Sequence, residues 1–239
     1  MQSYHSMRRK LCLASLLSLA SPLPFANAQP AGQLYDPEPP ADSAYVRVLI
    51  VNSDSPMDVM VDGRMRSQKL PAGEVSDYMV LTAGKHTINL QPTGKTAVAV
   101  SYSLDVIKGR AMTLAFATSK TGAVPSIFED KANTNKLKSL VAAYHLDSKA
   151  GALDILTADG NTKVFSNLTF GGSNSIQVNP ISVELIASKT GEKSSQTLPE
   201  KTKLSMAQGA TYSVFFMPNS EGKLTAKTAL NKTERFTGK

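Results

Sequence analysis

One phrase occurs twice in this chain of 239 residues, and it constrains the fold more than any other feature. "LDVIKGRAMTLAF" occupies Leu104–Phe116, and "LSMAQGATYSVFF" occupies Leu204–Phe216. Each copy begins with Leu, ends with Phe and has a glycine, Gly109 or Gly209, between two apolar segments. A glycine in that place predicts a turn with positive φ. The apolar segment after it predicts a strand that is covered on both faces.

Other short segments rich in β-branched residues are repeated in the same order. Tyr45–Asn52 corresponds to Leu140–Asp147, and Met57–Gly63 corresponds to Leu153–Gly160. The members of the second pair both end on Asp-Gly, which is typical of a hairpin turn. Segments repeated at nearly constant spacing indicate two copies of one domain. We therefore predict an all-β fold with two tandem antiparallel β-sandwich domains, arising from an internal repeat and preceded by a Pro-rich arm.

The N-terminus has the three parts of a secretory signal peptide. Basic residues at 8–10 precede the apolar run Leu11–Ala20, and small residues end the segment at Ala28. The run is shorter than the roughly 20 residues that a membrane-spanning helix needs. We predict a signal peptide over 1–28 that is cleaved between Ala28 and Gln29. No transmembrane segment is expected in the mature chain.

Composition sets the remaining boundaries. Four prolines among small and acidic residues predict an extended arm over 29–42. A Lys-rich stretch without a strand pattern predicts a linker over 131–139, between a first sandwich over 43–130 and a second over 140–239. Cys12 is the only cysteine and lies in the predicted signal peptide. The predicted mature chain therefore has no disulfide and no Cys metal ligand.

Charge is distributed unevenly between the two predicted sandwiches. The net charge is +7, and removing the three basic residues of the signal leaves +4. From Lys131 onward there are 14 basic and 8 acidic residues. A basic half fits a polyanion, but scattered lysines also keep a β protein soluble and protect its edges. Without Arg clusters we expect no binding to nucleic acid.

Candidate catalytic groups are sparse. His86 and His145 are the two histidines of the predicted mature chain, and they lie at non-equivalent places in the two copies. Neither belongs to a nucleophile motif such as Gly-x-Ser-x-Gly. We predict no catalytic residue, no metal site and no cofactor. A weak acetyltransferase or esterase that uses one of the two histidines remains an alternative hypothesis.

A family resemblance enters at the arm and the first strand. "LYDPEPPADSAYVRV", Leu34–Val48, resembles the start of mature proteins of the AlgF family, and Leu156–Val164 and Ile176–Leu185 are similar to later segments of that family. The resemblance implies a periplasmic protein of two β-sandwiches without catalytic residues of its own. It also implies an adaptor or relay between the membrane-bound and periplasmic O-acetyltransferases that modify an exported polymer, alginate or acetylated cellulose.

The expected partner-binding residues come from the same stretch: Leu34, Tyr35, Pro37, Tyr45 and Arg47. A Pro-rich arm with apolar anchors fits a groove on an acetyltransferase at low entropic cost, since proline already restricts the chain. The alternative is that the arm folds back on the first sandwich. A second function is also open, namely a carbohydrate-binding module that holds the anionic polysaccharide through the basic C-terminal half.

Overall fold

The structure, a computed structural model, describes residues 40–117, 124–191 and 201–235. Within these residues the chain forms sixteen strands and no helix. The strands are β1 Ser43–Asn52, β2 Met57–Val61, β3 Arg64–Leu70, β4 Met79–Thr82, β5 Gly84–Pro92, β6 Val100–Val106, β7 Ala111–Ala117, β8 Ser126–Asp130, β9 Ser139–His145, β10 Leu153–Thr157, β11 Lys163–Leu168, β12 Ser173–Val178, β13 Ser182–Lys189, β14 Thr202–Ser205, β15 Thr211–Pro218 and β16 Leu224–Leu230.

The strands form four sheets, and the repeat is visible in their order. Strands β1–β8, which we call the first half, form the sheets β4-β1-β7-β8 and β3-β2-β5-β6. Strands β9–β16, the second half, form β12-β9-β15-β16 and β11-β10-β13-β14. Each strand of the first half thus has a counterpart eight strands later. The prediction of an all-β fold with two repeated sandwiches is confirmed.

Not every strand pair is antiparallel. β1 pairs with β7 in parallel, as β9 does with β15, whereas the other pairs of neighbouring strands are antiparallel. Parallel neighbours need a long connection between them. Here that connection runs from β2 to β6 and contains the whole second sheet of the same half, together with β4, which pairs with β1 along its other edge. The polypeptide therefore places β7 beside β1 only after building the opposite layer of the sandwich.

Glycine turns lie where the sequence predicts them. Gly109 and Gly209 both have φ of 75°, immediately before β7 and β15. At the β2–β3 hairpin Asp62 and Gly63 have φ of 50° and 78°, as a two-residue turn of type I′ requires. The counterpart at Asp159 lies in a five-residue loop instead, because β10 ends at 157 and β11 begins at 163.

Each half buries its own apolar core, and a third core lies between the halves. The inner sheets β4-β1-β7-β8 and β12-β9-β15-β16 pack against each other, so β1 is buried along most of its length. The prediction that the strand after each glycine turn is covered on both faces is confirmed. One face is covered by the other sheet of the same half, and the other face by the inner sheet of the opposite half. The shared core consists of Leu49, Val51, Ala115, Phe128, Ala142, Tyr144, Leu146, Phe215 and Met217.

A half-buried carboxylate on β2, Asp58, connects β3 to the residue that follows β5. One oxygen of Asp58 accepts hydrogen bonds from the Lys69 amide and the Thr93 hydroxyl, both at 2.8 Å. Lys69 has φ of 55°, a strained conformation for a residue with a side chain. The carboxylate thus stabilises a bulge that ends the hairpin.

The second half contains the same device. Asp154 accepts hydrogen bonds from the Asn167 amide at 2.8 Å and the Thr190 hydroxyl at 3.1 Å, and Asn167 has φ of 52°. Lys163 adds an ion pair at 2.6 Å, for which the first half has no counterpart. Burial alone would raise the pKa of Asp154, but the bonds from Lys163, Asn167 and Thr190 outweigh it and lower the pKa.

Candidate functional site

The structure locates two of the five predicted partner-binding residues. Tyr45 is half-buried near the start of β1, whereas Arg47 lies in the middle of β1 with 1% of its surface exposed. The Arg47 side chain points into the contact between the halves, so its neighbours belong to the chain itself. The other predicted site residues lie outside the described residues: Leu34, Tyr35, Pro37 and the cleavage pair Ala28 and Gln29.

The Arg47 guanidinium donates four hydrogen bonds, and three of them cross the contact between the halves. Its Nε donates to the Thr113 hydroxyl at 2.8 Å in the first half. Its two terminal nitrogens donate to the second half, to Asn231 Oδ1 at 2.8 Å, Ser213 Oγ at 2.8 Å and the Tyr144 hydroxyl at 3.2 Å. A rigid planar guanidinium suits such divergent acceptors.

Asp130, the last residue of β8, balances the charge of Arg47. Its Oδ2 lies 3.7 Å from Arg47 Nε, and the Asp130 side chain is 3% exposed. The same oxygen accepts from the Thr113 hydroxyl at 2.5 Å and the Tyr78 hydroxyl at 2.7 Å. Oδ1 accepts from the Tyr144 hydroxyl at 2.7 Å. Both carboxylate oxygens are therefore satisfied, as a buried charge requires.

Aromatic rings enclose the guanidinium. Its carbon lies 4.5 Å from the Tyr78 ring centroid, 5.5 Å from that of Phe215 and 5.8 Å from that of Tyr144. Burial raises the pKa of both tyrosines, and the Asp130 carboxylate raises it further. Both phenols therefore stay neutral and donate to Asp130. Cation–π attraction and ionic hydrogen bonds act together on one residue.

This cluster is a joint between the halves. The first half supplies Arg47, Tyr78, Thr113 and Asp130, and the second half supplies Tyr144, Ser213 and Asn231. Every polar group that contacts Arg47 or Asp130 is already hydrogen-bonded within the cluster, which is buried between the two inner sheets. A substrate could not reach these groups without separating the halves. The geometry therefore holds the two halves together.

The two histidines lie apart, one in each half. His86 Nδ1 lies 2.6 Å from Asp62 Oδ2, and its Nε2 lies 2.9 Å from the Thr82 carbonyl oxygen. The hydrogen bond from the Thr87 amide lowers the pKa of Asp62, burial opposes it, and His86 adds to the lowering. Among the described residues, the ring of His86 has no hydroxyl partner that would act as a nucleophile.

His145 is fully buried at the end of β9. Its Nδ1 accepts a hydrogen bond from the Asp147 amide at 3.3 Å, and its Nε2 donates to the Gly151 carbonyl at 2.6 Å. The ring thereby fixes the loop that follows β9. Within the described ranges no three His, Cys, Asp or Glu side chains are grouped as metal ligands.

A cleft opens where the far ends of β1 and β15 meet. It has two recesses, of about 520 Å³ and about 270 Å³. Lys149 and the exposed ring of Phe170 line the larger recess, and Gly73 and Lys227 line the smaller. Both halves build the cleft, so its shape depends on how the halves are joined. The residues common to both recesses are Val51, Asn52, Ser53, Pro218, Asn219 and Ser220.

Sequence reasoning missed most of the joint. Its members are polar residues inside or beside apolar strands, and the hydrogen bonds of Arg47 reach partners 66 to 184 positions away in sequence. One signal was available, since Thr113 in "AMTLAF" and Ser213 in "TYSVFF" interrupt the two copies of the same apolar strand at the same place. A polar residue repeated in that way indicates a buried partner on the covering layer.

Comparison with known proteins gives the family. The family model described as "Alginate O-acetyl transferase AlgF" matches residues 14–213, which is most of the chain. The chain belongs to the AlgF family. The resemblance at the arm and first strand is thereby confirmed.

Individual relatives agree with the family match. An alginate biosynthesis protein AlgF of Pseudomonas putida is 32% identical over 180 residues, covering 75% of this chain and 76% of the relative. The AlgF protein of Pseudomonas aeruginosa is 28% identical over 220 residues, covering 92% of this chain and 91% of the relative.

One solved structure, of the C-terminal domain of AlgF from P. aeruginosa, covers 40% of this chain and all of that domain, at 23% identity and a TM-score of 0.33. That score is too low for a structural argument. In the part of this chain that the structure describes, no helix is long and apolar enough to span a membrane.

Proposed function

We propose that this protein is a non-enzymatic periplasmic adaptor in the O-acetylation of an exported exopolysaccharide, with alginate as the polymer. The observation that carries the proposal is membership of the AlgF family over residues 14–213. The relatives from P. putida and P. aeruginosa are named alginate biosynthesis proteins. In this proposal the protein binds the membrane-bound and periplasmic O-acetyltransferases and holds them together.

The absence of a catalytic role is part of the proposal, although the family description contains the words O-acetyl transferase. Acyl transfer needs a nucleophile, a base and donors for an oxyanion within hydrogen-bond reach of one another. In the described ranges His86 and His145 are held by carboxylate and backbone groups of their own half. The polar cluster around Arg47 is buried.

Export supports the periplasmic location. The predicted signal peptide over 1–28 directs the chain across the inner membrane, and its removal leaves Gln29 as the first residue. Acetylation of an exported polymer takes place in that compartment. The mature chain without cysteine is compatible with an oxidising environment, since it depends on no disulfide.

In this proposal the residues that bind a partner lie in the arm. Arg47 is occupied within the joint, so Leu34, Tyr35 and Pro37 carry the predicted contact with an acetyltransferase, and Tyr45 marks the place where the arm enters the first sandwich. Folding of the arm onto its own first half is the competing outcome. The two are separated by measuring binding and stability on the same variants.

Binding of the polysaccharide by the basic second half has weaker support. Three of its lysines, Lys163, Lys201 and Lys223, are paired with acidic side chains. Pairing reduces the positive charge that an anionic polymer would meet. The carbohydrate-binding module therefore stays an alternative prediction.

Polymer acetylation in cells tests the proposed function. In a producing strain that lacks this gene we expect the exported polymer to lose its acetate, and the wild-type gene to restore it. His86→Gln should restore acetate as well, because the ring does no chemistry. Leu34→Ala with Tyr35→Ala should fail to restore it and should lose the acetyltransferases in a pull-down. Hydrolysis of a chromogenic acetyl ester by the purified protein, abolished by His86→Gln or His145→Gln, would contradict the proposal.

A further inference from the structure

The last described residues of the chain leave the second half and end on the first. After β16 the segment Asn231–Glu234 runs along the outer edge of β4, which is an edge strand of its sheet. The Tyr78 amide donates to the Lys232 carbonyl at 2.8 Å, and the Glu234 amide donates to the Tyr78 carbonyl at 2.9 Å. These two bonds form a parallel β-bridge between Tyr78 and Thr233.

The carboxylate of Glu234 fixes the end of this segment. One of its oxygens accepts a hydrogen bond from the Val80 amide at 2.9 Å, and the same oxygen pairs with the Arg66 guanidinium. Arg66 also donates to the Val80 carbonyl at 3.3 Å. The Arg66 and Glu234 side chains are 23% and 25% exposed, so water only partly screens their attraction.

The other end of the segment enters the joint. Asn231 Oδ1 accepts hydrogen bonds from Arg47 and from the Ser213 hydroxyl, each at 2.8 Å. The segment therefore connects the buried joint to the Arg66 side of the first half over only four residues. Its recognition combines main-chain pairing with one charged side chain, as in the addition of a peptide strand to an open sheet edge.

The second half lacks the corresponding acceptor. By strand register Met65 pairs with Met60 in the first half, and Lys163 pairs with Leu156 in the second. The residue after Met65 is Arg66, whereas the residue after Lys163 is Val164. The guanidinium that receives Glu234 is thus specific to the first half.

We propose that the outer edge of β4, together with Arg66, is a strand-acceptor site for an extended segment that carries one carboxylate, and that the chain's own segment Asn231–Glu234 occupies it as a strap across the two halves. The site recognises an extended backbone together with a side-chain carboxylate that reaches Arg66 and the Val80 amide. A strap of this kind covers an edge that would otherwise invite pairing with other chains.

Point variants of the full mature chain test the strap. Glu234→Gln and Arg66→Gln should each accelerate hydrogen exchange at the Tyr78 and Val80 amides about tenfold, because both break one contact. For the same reason the double variant should exchange no faster than either single variant. Glu221→Gln is the matched control, since Glu221 pairs with Lys223 on an exposed loop of the second half, and it should change neither amide.

Two results would overturn the strap: unchanged exchange at Tyr78 and Val80 in both single variants, or effects that add in the double variant. A second measurement addresses the acceptor site itself. A chain that ends at Asn231, which keeps the Asn231 acceptor of Arg47 in the joint, should bind the peptide KTERFTGK at millimolar concentration, with NMR shifts centred on Tyr78 and Val80. A peptide with Gln at the Glu234 position should shift them much less. Equal shifts with both peptides, or none with either, would rule out the proposed recognition.

Discussion

The two halves share a fold but differ at the residues that face each other. In the first half Arg47 on β1 pairs with Thr113 on β7, and in the second half Ala142 on β9 pairs with Ser213 on β15. Arg47 and Ala142 therefore occupy equivalent positions. A charged side chain in one copy thus corresponds to a small apolar side chain in the other.

The acidic partner shows the same divergence. Asp130 lies opposite Ala111 at the start of β7. Asn231 lies in the equivalent place, because its main-chain amide donates to the Thr211 carbonyl at the start of β15. One copy supplies a carboxylate and the other a neutral amide. Duplication alone would place like residues at the contact between the halves. One cation and one anion at non-equivalent positions instead give a single complementary joint.

Positions that serve each sandwich alone have been retained in both copies. Asp58 and Asp154 stabilise the same bulge, and Gly109 and Gly209 make the same turn. Residues that stabilise each sandwich on its own are therefore the same in both copies, whereas residues at the contact between the halves differ.

The largest effect is expected at the joint. Asp130→Ala leaves the Arg47 charge buried without its partner, which costs about 3–5 kcal/mol of unfolding free energy. Urea unfolding of the mature chain measures it. The matched control is Glu129→Ala, the neighbouring residue, whose pair with Arg110 is exposed and contributes under about 1 kcal/mol. Equal costs for the two variants would contradict the buried joint.

A smaller effect is expected at the repeated carboxylates. Asp154→Ala removes charged hydrogen bonds to an amide, a hydroxyl and Lys163, so we expect a loss of about 1.5–3 kcal/mol. Asp58→Ala should cost less, since Asp58 is less buried and has no lysine partner. The same urea unfolding experiment compares them. A larger loss at Asp58 would show that Lys163 adds nothing.

The lowered pKa of Asp154 gives a pH dependence with a definite sign. As the pH falls, the unfolded carboxyl binds its proton before the folded one does. The stabilisation is therefore complete above about pH 4 and is lost at lower pH. Between pH 5 and pH 2 the unfolding free energy of the wild type should fall more steeply than that of Asp154→Asn. Parallel curves would contradict the lowered pKa.

Tyr144→Phe should cost about 1–2 kcal/mol at neutral pH, because Asp130 and Arg47 each lose one hydrogen bond. The raised pKa of Tyr144 adds an alkaline signature. An unfolded phenol ionises near pH 10, so this stabilisation is present below about pH 10 and is lost as the pH rises further. Unfolding measured at pH 8 and pH 11 should show a smaller loss for the Phe variant than for the wild type. An equal loss of unfolding free energy in both proteins would contradict the burial of the Tyr144 phenol.

The smallest effect is expected at the glycine turns. Gly109→Ala should cost about 1 kcal/mol, from positive φ alone, since an added Cβ meets no atom within 4 Å. Gly209→Ala should cost more, because its Cβ would lie 3.2 Å from the Lys136 carbonyl oxygen. Thermal unfolding of the two variants makes the comparison. A larger loss at Gly109 would contradict the close packing of the Lys136 carbonyl against the turn at Gly209.

Local chemistry made part of this structure predictable. Asp62-Gly63 and the two repeated glycines require particular turns, and the apolar strands require cover. β3 was missed because "RMRSQKL" is a mostly exposed edge strand with little apolar pattern.

The joint could not be predicted from local pattern. In "YVRVLIVN" the residues Val46 and Val48 face the core of the first half, while Arg47 and Leu49 face the second half. Both faces are apolar apart from the arginine, so the sequence does not indicate which layer covers it. The partners of Arg47 lie far along the chain, and only packing of the halves brings them together.

The tumbling of the mature chain tests most directly whether the two halves move as one body. Backbone ¹⁵N relaxation reports a rotational correlation time for each amide in the described strands. The joint around Arg47 and Asp130 predicts one common correlation time for strands β1–β8 and β9–β16, with separate, shorter times in Asp130→Ala. Two separate, shorter times in the wild type would show that the halves move independently and would contradict the account.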